Sequence, residues 1–502
     1  MIYKLQKLKM GRTFFFLLLF LTTAFTIQSQ DTVKYTLNEV IQMAQSQSLD
    51  ALMAKHRYRQ SYWSFRSFKA EYLPSLNLDA TLPNLNISFD EQYSVIDSTT
   101  SFVPLSTTNY KVELSLNQKI GFSGGEVFLS SSLRRLDNNL GESSTQYLTN
   151  AISIGIIQPI FKYNPYHFDR KIRPMLFEEA QRNYVETNED VALKAVNNFF
   201  DLLLAQIEVG IAYKNLSSYD TLYRIAIGRY NLGKIAENEL LQLELNLLTA
   251  EASVEKSELN YDISLSSFKS YLRLIDGIAV DLIPPVTTLH FDVPAGKALE
   301  LAKENSSAGL EFQRRILEAE DKLYRAKRDG RFDASIFASF GLTQSAGNVP
   351  DAYKNPYNSE SVVVGLSVPI LDWGVARGKI KMAESGLDLV ETSIQQEKID
   401  FDQTVYLNVV LFNMQKKQLK IAAKSDTVAQ RRYDVTQKRY MIGKVNDVLE
   451  LDKAQIDNDN AKMGYYRALQ TYWQSYYQIR KRTLYDFQRN MLISSSFDDL
   501  IE

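Results

Sequence analysis

Beyond residue 30 the chain changes hydrophobic period in blocks. In two clusters apolar and polar residues alternate strictly: Leu76, Leu78, Ala80 and Leu82 are offset by Ser75, Asn77, Asp79 and Thr81, and Val362, Val364, Leu366 and Val368 by Ser361, Val363, Gly365 and Ser367. Ile336, Ala338, Phe340 and Leu342 repeat the pattern, as do Ile152, Ile154 and Ile156. A period of two predicts strands with one apolar face, as in a transmembrane barrel or in a half-buried sheet of a soluble domain. Elsewhere the spacing is helical over long stretches with almost no Pro or Gly inside, roughly 168–228, 236–272, 297–331, 376–438 and 446–486. Helices of that length exceed the span of a compact domain and must lean on one another. Leu241, Leu245 and Leu248 make one apolar row and Leu240, Leu243 and Leu247 a second beside it, so this helix needs two neighbours. The stripe Tyr465, Tyr472 and Tyr476, shadowed by Tyr466, Trp473 and Tyr477, predicts helix packing rather than a ligand box.

The blocks occur twice. Gly155, Pro159 and Ile160 recur 210 residues later as Gly365, Pro369 and Ile370. Tyr223, Arg229, Tyr230, Gly233 and Lys234 recur at the same offset as Tyr433, Arg439, Tyr440, Gly443 and Lys444. Upstream the offset is larger: Ala44 aligns with Ala302 at 258, and Pro74–Leu76 with Ala334–Ile336 at 260. The chain therefore reads as two copies of helix, strand hairpin, long helix, Gly turn and long helix. The drop from 260 to 210 leaves about 50 extra residues in the first copy. They contain YKVELSLNQ (110–118), the turn GFSGG (121–125) and EVFLSSSL (126–133), with long links at 90–108 and 136–145. Two readings follow, an inserted strand hairpin or a folded loop.

The N-terminus adds a compartment. Lys4, Lys7, Lys9 and Arg12 precede an apolar run from Phe14 to Phe25 and then Thr26–Gln30, the pattern of an export signal over 1–30. The run is shorter than the roughly 20 residues a helical span needs. Losing it moves the formal charge from −2 to −6, which offers nothing to nucleic acid. With no Cys and only His56, His167 and His290, the chain has little material for a metal site or a nucleophile, so no catalytic residue, metal or cofactor is assigned. Two local motifs mislead. Gly228, Gly233 and Lys234 fit the phosphate-loop spacing, but Ile235 stands where a hydroxyl is required, and the motif follows a helix instead of a strand. The acidic run Asp457–Asn460 lies inside a helical stretch without the central Gly of a calcium loop.

The two-copy order, the Pro after the second strand of each copy (Pro159, Pro369) and the Tyr-x-x-Gly turns (Tyr230, Gly233; Tyr440, Gly443) together resemble the outer-membrane efflux protein family of the TolC type, over about 36–486. The resemblance implies a mixed α and β membrane protein: a homotrimer with one shared transmembrane β-barrel, continued by a long α-helical periplasmic barrel built from two tandem repeats. It implies a channel subunit, not an enzyme, exporting substrates through a tripartite efflux or type I secretion system. The partners would be a periplasmic adaptor (membrane fusion) protein, an inner-membrane pump and outer-membrane lipid. The competing reading of the long helices is a periplasmic coiled-coil adaptor or scaffold. The domains would be 31–290 (helix 36–72, strands within 74–161 with the inserted hairpin, helices 168–272), 291–490 (helix 297–331, strands within 333–371, helices 376–486) and a tail 487–502. If the insert is a hairpin, each subunit supplies six strands instead of four, and a trimer has 18 instead of 12.

By the same resemblance the second-copy turn is the periplasmic gate. The family's Asp-Val-Leu-Asp falls on Asp447, Val448, Leu449 and Glu450, with a spacer two residues shorter and Val445 in place of an Arg. Asp447 and Glu450 stand three apart, on one helix face, although acids in a first helical turn are also favoured by the helix dipole alone. The tips Leu232, Gly233, Lys234 and Ile442, Gly443, Lys444 match the family's adaptor-contacting positions, and would otherwise be ordinary helix caps.

Overall fold

A computed structural model describes residues 32–94, 98–139, 144–275, 279–285, 291–442 and 448–501. The export signal, His290, Gly443, Lys444 and Asp447 lie outside the described residues.

Each alternating segment is a strand, and six of them form one sheet. β2 (Ser75–Ser94), β3 (Thr99–Ile120), β4 (Gly125–Asn138), β5 (Ser144–Pro159), β7 (Asp333–Ala346) and β8 (Tyr357–Ser367) are antiparallel neighbours in that order. The register gives the sheet one apolar face, because Leu76 stands opposite Leu116, Leu116 opposite Leu129, Leu129 opposite Ile154, Ile154 opposite Phe340 and Ala338 opposite Val362. Asn77, Ser115, Ser130, Ser153, Gly341 and Ser359 lie on the other face. The apolar side chains are not covered: Leu78 is 68% exposed and Val364 also 68%. The segment 121–124, after which β4 begins, is a tight turn with Gly124 at φ +72°. The links read as loops differ from expectation, since 90–94 and 99–108 continue β2 and β3 as a long hairpin.

Between the strands run the long helices α3 (Tyr166–Asn231), α4 (Glu237–Leu272), α8 (Val375–Met441) and α9 (Val448–Thr483). At 1.5 Å per residue, the 66 and 67 residues of α3 and α8 extend about 100 Å. Pairs of equal length, 36 residues, return in α4 and α9.

The two shorter helical stretches are each broken in two. α1 (Leu37–Gln47) and α2 (Leu49–Glu71) meet at Ser48, and α5 (Ala295–Asn305) and α6 (Ser307–Asp329) meet at Ser306. A single helical turn, α7 (Val349–Ala352), lies between β7 and β8. Ser48 (φ −64°, ψ 152°) and Ser306 (φ −69°, ψ 158°) are both extended, 258 residues apart, so the break itself repeats. Side chains of α3 take up the backbone groups freed at Ser306. Arg182 Nη1 donates to the Glu304 and Ser306 carbonyls, and the Ser307 amide and hydroxyl donate to Glu186 at 2.7 and 3.0 Å. Ser48 Oγ accepts the Ala51 amide and caps α2.

The larger core lies where α1, α3, α5, α8 and α9 meet beside a parallel pair, β1 (Thr32–Thr36) and β6 (Ala279–Ile283). Phe199, Phe200, Phe412, Tyr472 and Tyr476 are fully buried there, which accounts for the aromatic stripe. α3 is by length and composition apolar enough to cross a membrane. Under half of its apolar window is buried, and Val191, Val196, Phe199, Phe200 and Leu203 of this helix pack into this core.

Candidate channel tip and gate

The free ends of the two helical hairpins form a second, smaller core. Leu222 and Ala226 of α3, Leu243 of α4, Tyr433 and Tyr440 of α8, and Val448, Leu451 and Ala454 of α9 pack together. Only one of the two apolar rows on α4 is used: Leu243 is 1% exposed, while Leu241, Leu245 and Leu248 are 55%, 58% and 56% exposed.

At the first tip α3 ends on a left-handed glycine. Gly233 has φ +64°, its amide donates to the Tyr230 carbonyl at 2.8 Å, and the Lys234 amide donates to the Arg229 carbonyl at 2.9 Å. This paired arrangement satisfies the last carbonyls of the helix. It also accounts for the glycine-lysine spacing without a phosphate. A side chain at Gly233 would meet nothing within 4 Å, so its demand is conformational. Leu232 is 73% exposed and Ile442 66%, so both tips present an apolar side chain to solvent.

The two hairpins are tied together near the second tip. Arg229 Nη2 donates to the carbonyls of Tyr440 (3.0 Å) and Met441 (3.3 Å), which end α8, and its guanidinium lies 4.9 Å from the Tyr440 ring centre. The two landmark tyrosines thus have different surroundings, with Tyr440 1% exposed and Tyr230 40%. Glu450 lies in the first turn of α9, with Arg439 of α8 at 3.9 Å. Further along, Tyr219 and Asn246 donate to Asp452, and Asn215 donates to Asp459. Burial and the bond to Asp452 push the Tyr219 phenol well up, so it stays a donor.

Arg229 and Arg439 are both repeat identities, yet the sequence pattern assigns them no role. Asp452 carries no signal beyond its type. Pro159 closes β5 opposite Ser335, and Pro369 stands two residues beyond β8, so each lies where a missing amide is tolerated. Asp457 is held below the usual carboxylate range by its bond from Lys453, against the opposing effect of burial and with Arg432 adding to it, and Asn458 is buried. Among the described residues no group of His, Cys, Asp or Glu is arranged to hold a metal.

The fold, a sheet with one exposed apolar face joined to two long helical hairpins, is similar to those of solved outer-membrane channels. The channel CmeC of Campylobacter jejuni matches with a TM-score of 0.64 at 16% identity, over 93% of this chain and 88% of that one. VceC of Vibrio cholerae matches at 0.62 and 12% identity, over 91% and 97%. The open state of MtrE of Neisseria gonorrhoeae matches at 0.58 and 11%, over 92% and 90%. Residues 331–483, from the start of β7 to the end of α9, match the family model described as outer membrane efflux protein. No curated protein matches the chain by sequence. Channels of that family are transport components rather than enzymes.

Proposed function

We propose that the chain is one subunit of an export channel in the outer membrane. Three copies close their sheets into one barrel and join their helical hairpins into a periplasmic tunnel. The observation that carries this reading is the sheet with two open edges, β2 and β8, and an uncovered apolar face. Open edges do not persist in a bilayer, where every backbone group needs a partner. Six strands are also fewer than the eight of the smallest membrane barrels, so the sheet must be closed by copies of itself, and three copies give 18 strands. The exposed row Leu241, Leu245, Leu248 on α4 supplies the helical region with a matching surface for a neighbouring copy.

In this assembly the two tips dock on a periplasmic adaptor that links the channel to an inner-membrane pump, in a tripartite efflux or type I secretion system. Asp447 and Glu450 ring the periplasmic entrance, and Arg229 and Arg439 brace the α8 end beside it. Replacing Gly233 and Gly443 by Val tests the tip role, because neither replacement enters the barrel. Export should be lost while heat-resistant oligomers remain in outer-membrane fractions. Export that survives both changes would reduce the tips to helix caps.

A further inference from the structure

The β2–β3 hairpin outruns the rest of the sheet. β4 pairs with β3 only as far as Thr107 opposite Asn138, yet β2 and β3 stay paired up to Ser94 opposite Thr99. The last residues, 87–94 and 99–106, therefore form a two-stranded ribbon with no third strand among the described residues, a form marginally stable by itself.

The ribbon is amphipathic, and its apolar face continues that of the sheet. Along β3 the even positions Leu116, Leu114 and Val112 lie on the apolar face, and the same alternation carries on through Pro104 and Phe102. β2 would fall out of phase, but it advances three residues, from Thr81 to Asn84, while β3 advances two, from Lys111 to Asn109. This one-residue bulge moves Leu85, Ile87, Phe89 and Tyr93 onto the apolar face, opposite Thr108, Ser106, Pro104 and Thr100. Without it they would point to the polar side. They are 59%, 73%, 73% and 59% exposed, and Phe102 is 75% exposed. Asn86, Ser88 and Asp90 take the opposite face, with Leu105 opposite Ser88 and Val103 opposite Asp90 as its apolar members, while Glu91 is the one acid beside the apolar row, opposite Phe102.

Polar groups on the apolar face mark where the lipid-compatible band ends. Arg135 and Asp137 of β4 lie on that face opposite Tyr110 and Thr108, and they pair with each other at 2.9 Å. Tyr147 of β5 stands opposite Arg135. Aromatic rings beside charges are typical of a membrane interface. By register Asp137 is level with Thr108 and hence with Leu85, so Ile87, Phe89, Tyr93 and Phe102 stand beyond that boundary.

We propose that this ribbon folds outward at its base, just beyond the bulge, and seats its apolar face on the lipid surface around the barrel. Bulges bend the strand that carries them, and an outward bend turns the barrel's outer face down toward the membrane. Lipid is the occupant because the ribbon's apolar face is continuous with the lipid-facing band, is rich in aromatic residues and carries one acid, which at headgroup depth remains hydrated. The inference rests on the sheet being the membrane barrel.

The absence of cysteine permits single labels without background. Phe102→Cys, Ser88→Cys on the opposite face and Leu114→Cys in the barrel band would each carry an environment-sensitive fluorophore. The assembled protein would be placed in phosphatidylcholine vesicles bearing nitroxides on the headgroup or near the top of the acyl chain. The label at 102 should be blue-shifted and quenched severalfold more than that at 88, most strongly by the headgroup probe. Quenching at 114 but not at 102 overturns the ribbon proposal alone, whether the ribbon stands in water or, if still blue-shifted, is covered by protein. No quenching at 114 overturns the barrel reading itself.

Discussion

Arg480 joins three parts of the larger core. Its guanidinium donates to both oxygens of Glu189 on α3, at 2.7 and 3.0 Å, and to Asp486 just beyond α9 at 2.6 Å, while Tyr476 donates to the other Asp486 oxygen. With Glu189 2% and Asp486 6% exposed, removal of the cation leaves two buried acids unpaired. Arg480→Ala should therefore cost about 3–5 kcal/mol, read as an earlier unfolding midpoint of the helical region in denaturant. Burial alone would raise the Asp486 carboxyl, but the Tyr476 hydroxyl, the Arg489 and Gln488 amides and Arg480 outweigh it and hold it low. A depressed carboxyl stabilises the fold above its unfolded pKa of about 3.9 and loses that contribution as pH falls through the lower folded value. Acid unfolding should begin below about pH 4, and Asp486→Asn should flatten that limb. At the tip, Asp447→Asn with Glu450→Gln removes charge at nearly constant size. Cation preference in planar bilayers should fall, and an unchanged selectivity would place both acids away from the constriction. The repeat pairs Arg229 with Arg439. It cannot show that Arg229 reaches across to the end of α8 or that Asp452 receives two donors, because both depend on how the hairpins cross.

Element lengths and types are legible wherever one period persists, as in α3, α4, α8 and α9. They are not legible where a tertiary partner replaces a local signal. Serine is tolerated inside helices, so Ser48 and Ser306 give no warning that Ser48 caps α2 or that Glu186 and Arg182 hold the break at Ser306. The upper β2–β3 hairpin is hidden for a different reason. The bulge between Thr81 and Asn84 interrupts the alternation, and the polar segment Ser98–Ser101 has a loop-like composition. Register, not composition, makes it a ribbon. The two rows on α4 are visible as rows, but only burial separates the inner Leu243 from the outer Leu241 and Leu245. Leu241→Glu with Leu245→Glu should leave the single chain's own packing intact and abolish oligomers in outer-membrane extracts. Retained oligomers would mean that this row faces solvent.

Across the whole molecule, a strand block and a helical block alternate twice, and each leaves surface that a single chain cannot cover. The sheet has an apolar face and two open edges, while α4 and α8 expose rows that include Leu245, Leu248, Leu407 and Leu411. For a lone soluble chain such surface is an aggregation hazard. In a ring of copies spanning a bilayer, every one of these surfaces has an occupant. A density map of the protein extracted from membranes and held in a lipid disc tests this most directly, because strand number, symmetry and edge pairing are read together. The account predicts three copies, eighteen strands and β8 of each copy paired with β2 of the next. A particle whose sheet edges are covered by another element of the same chain would contradict it.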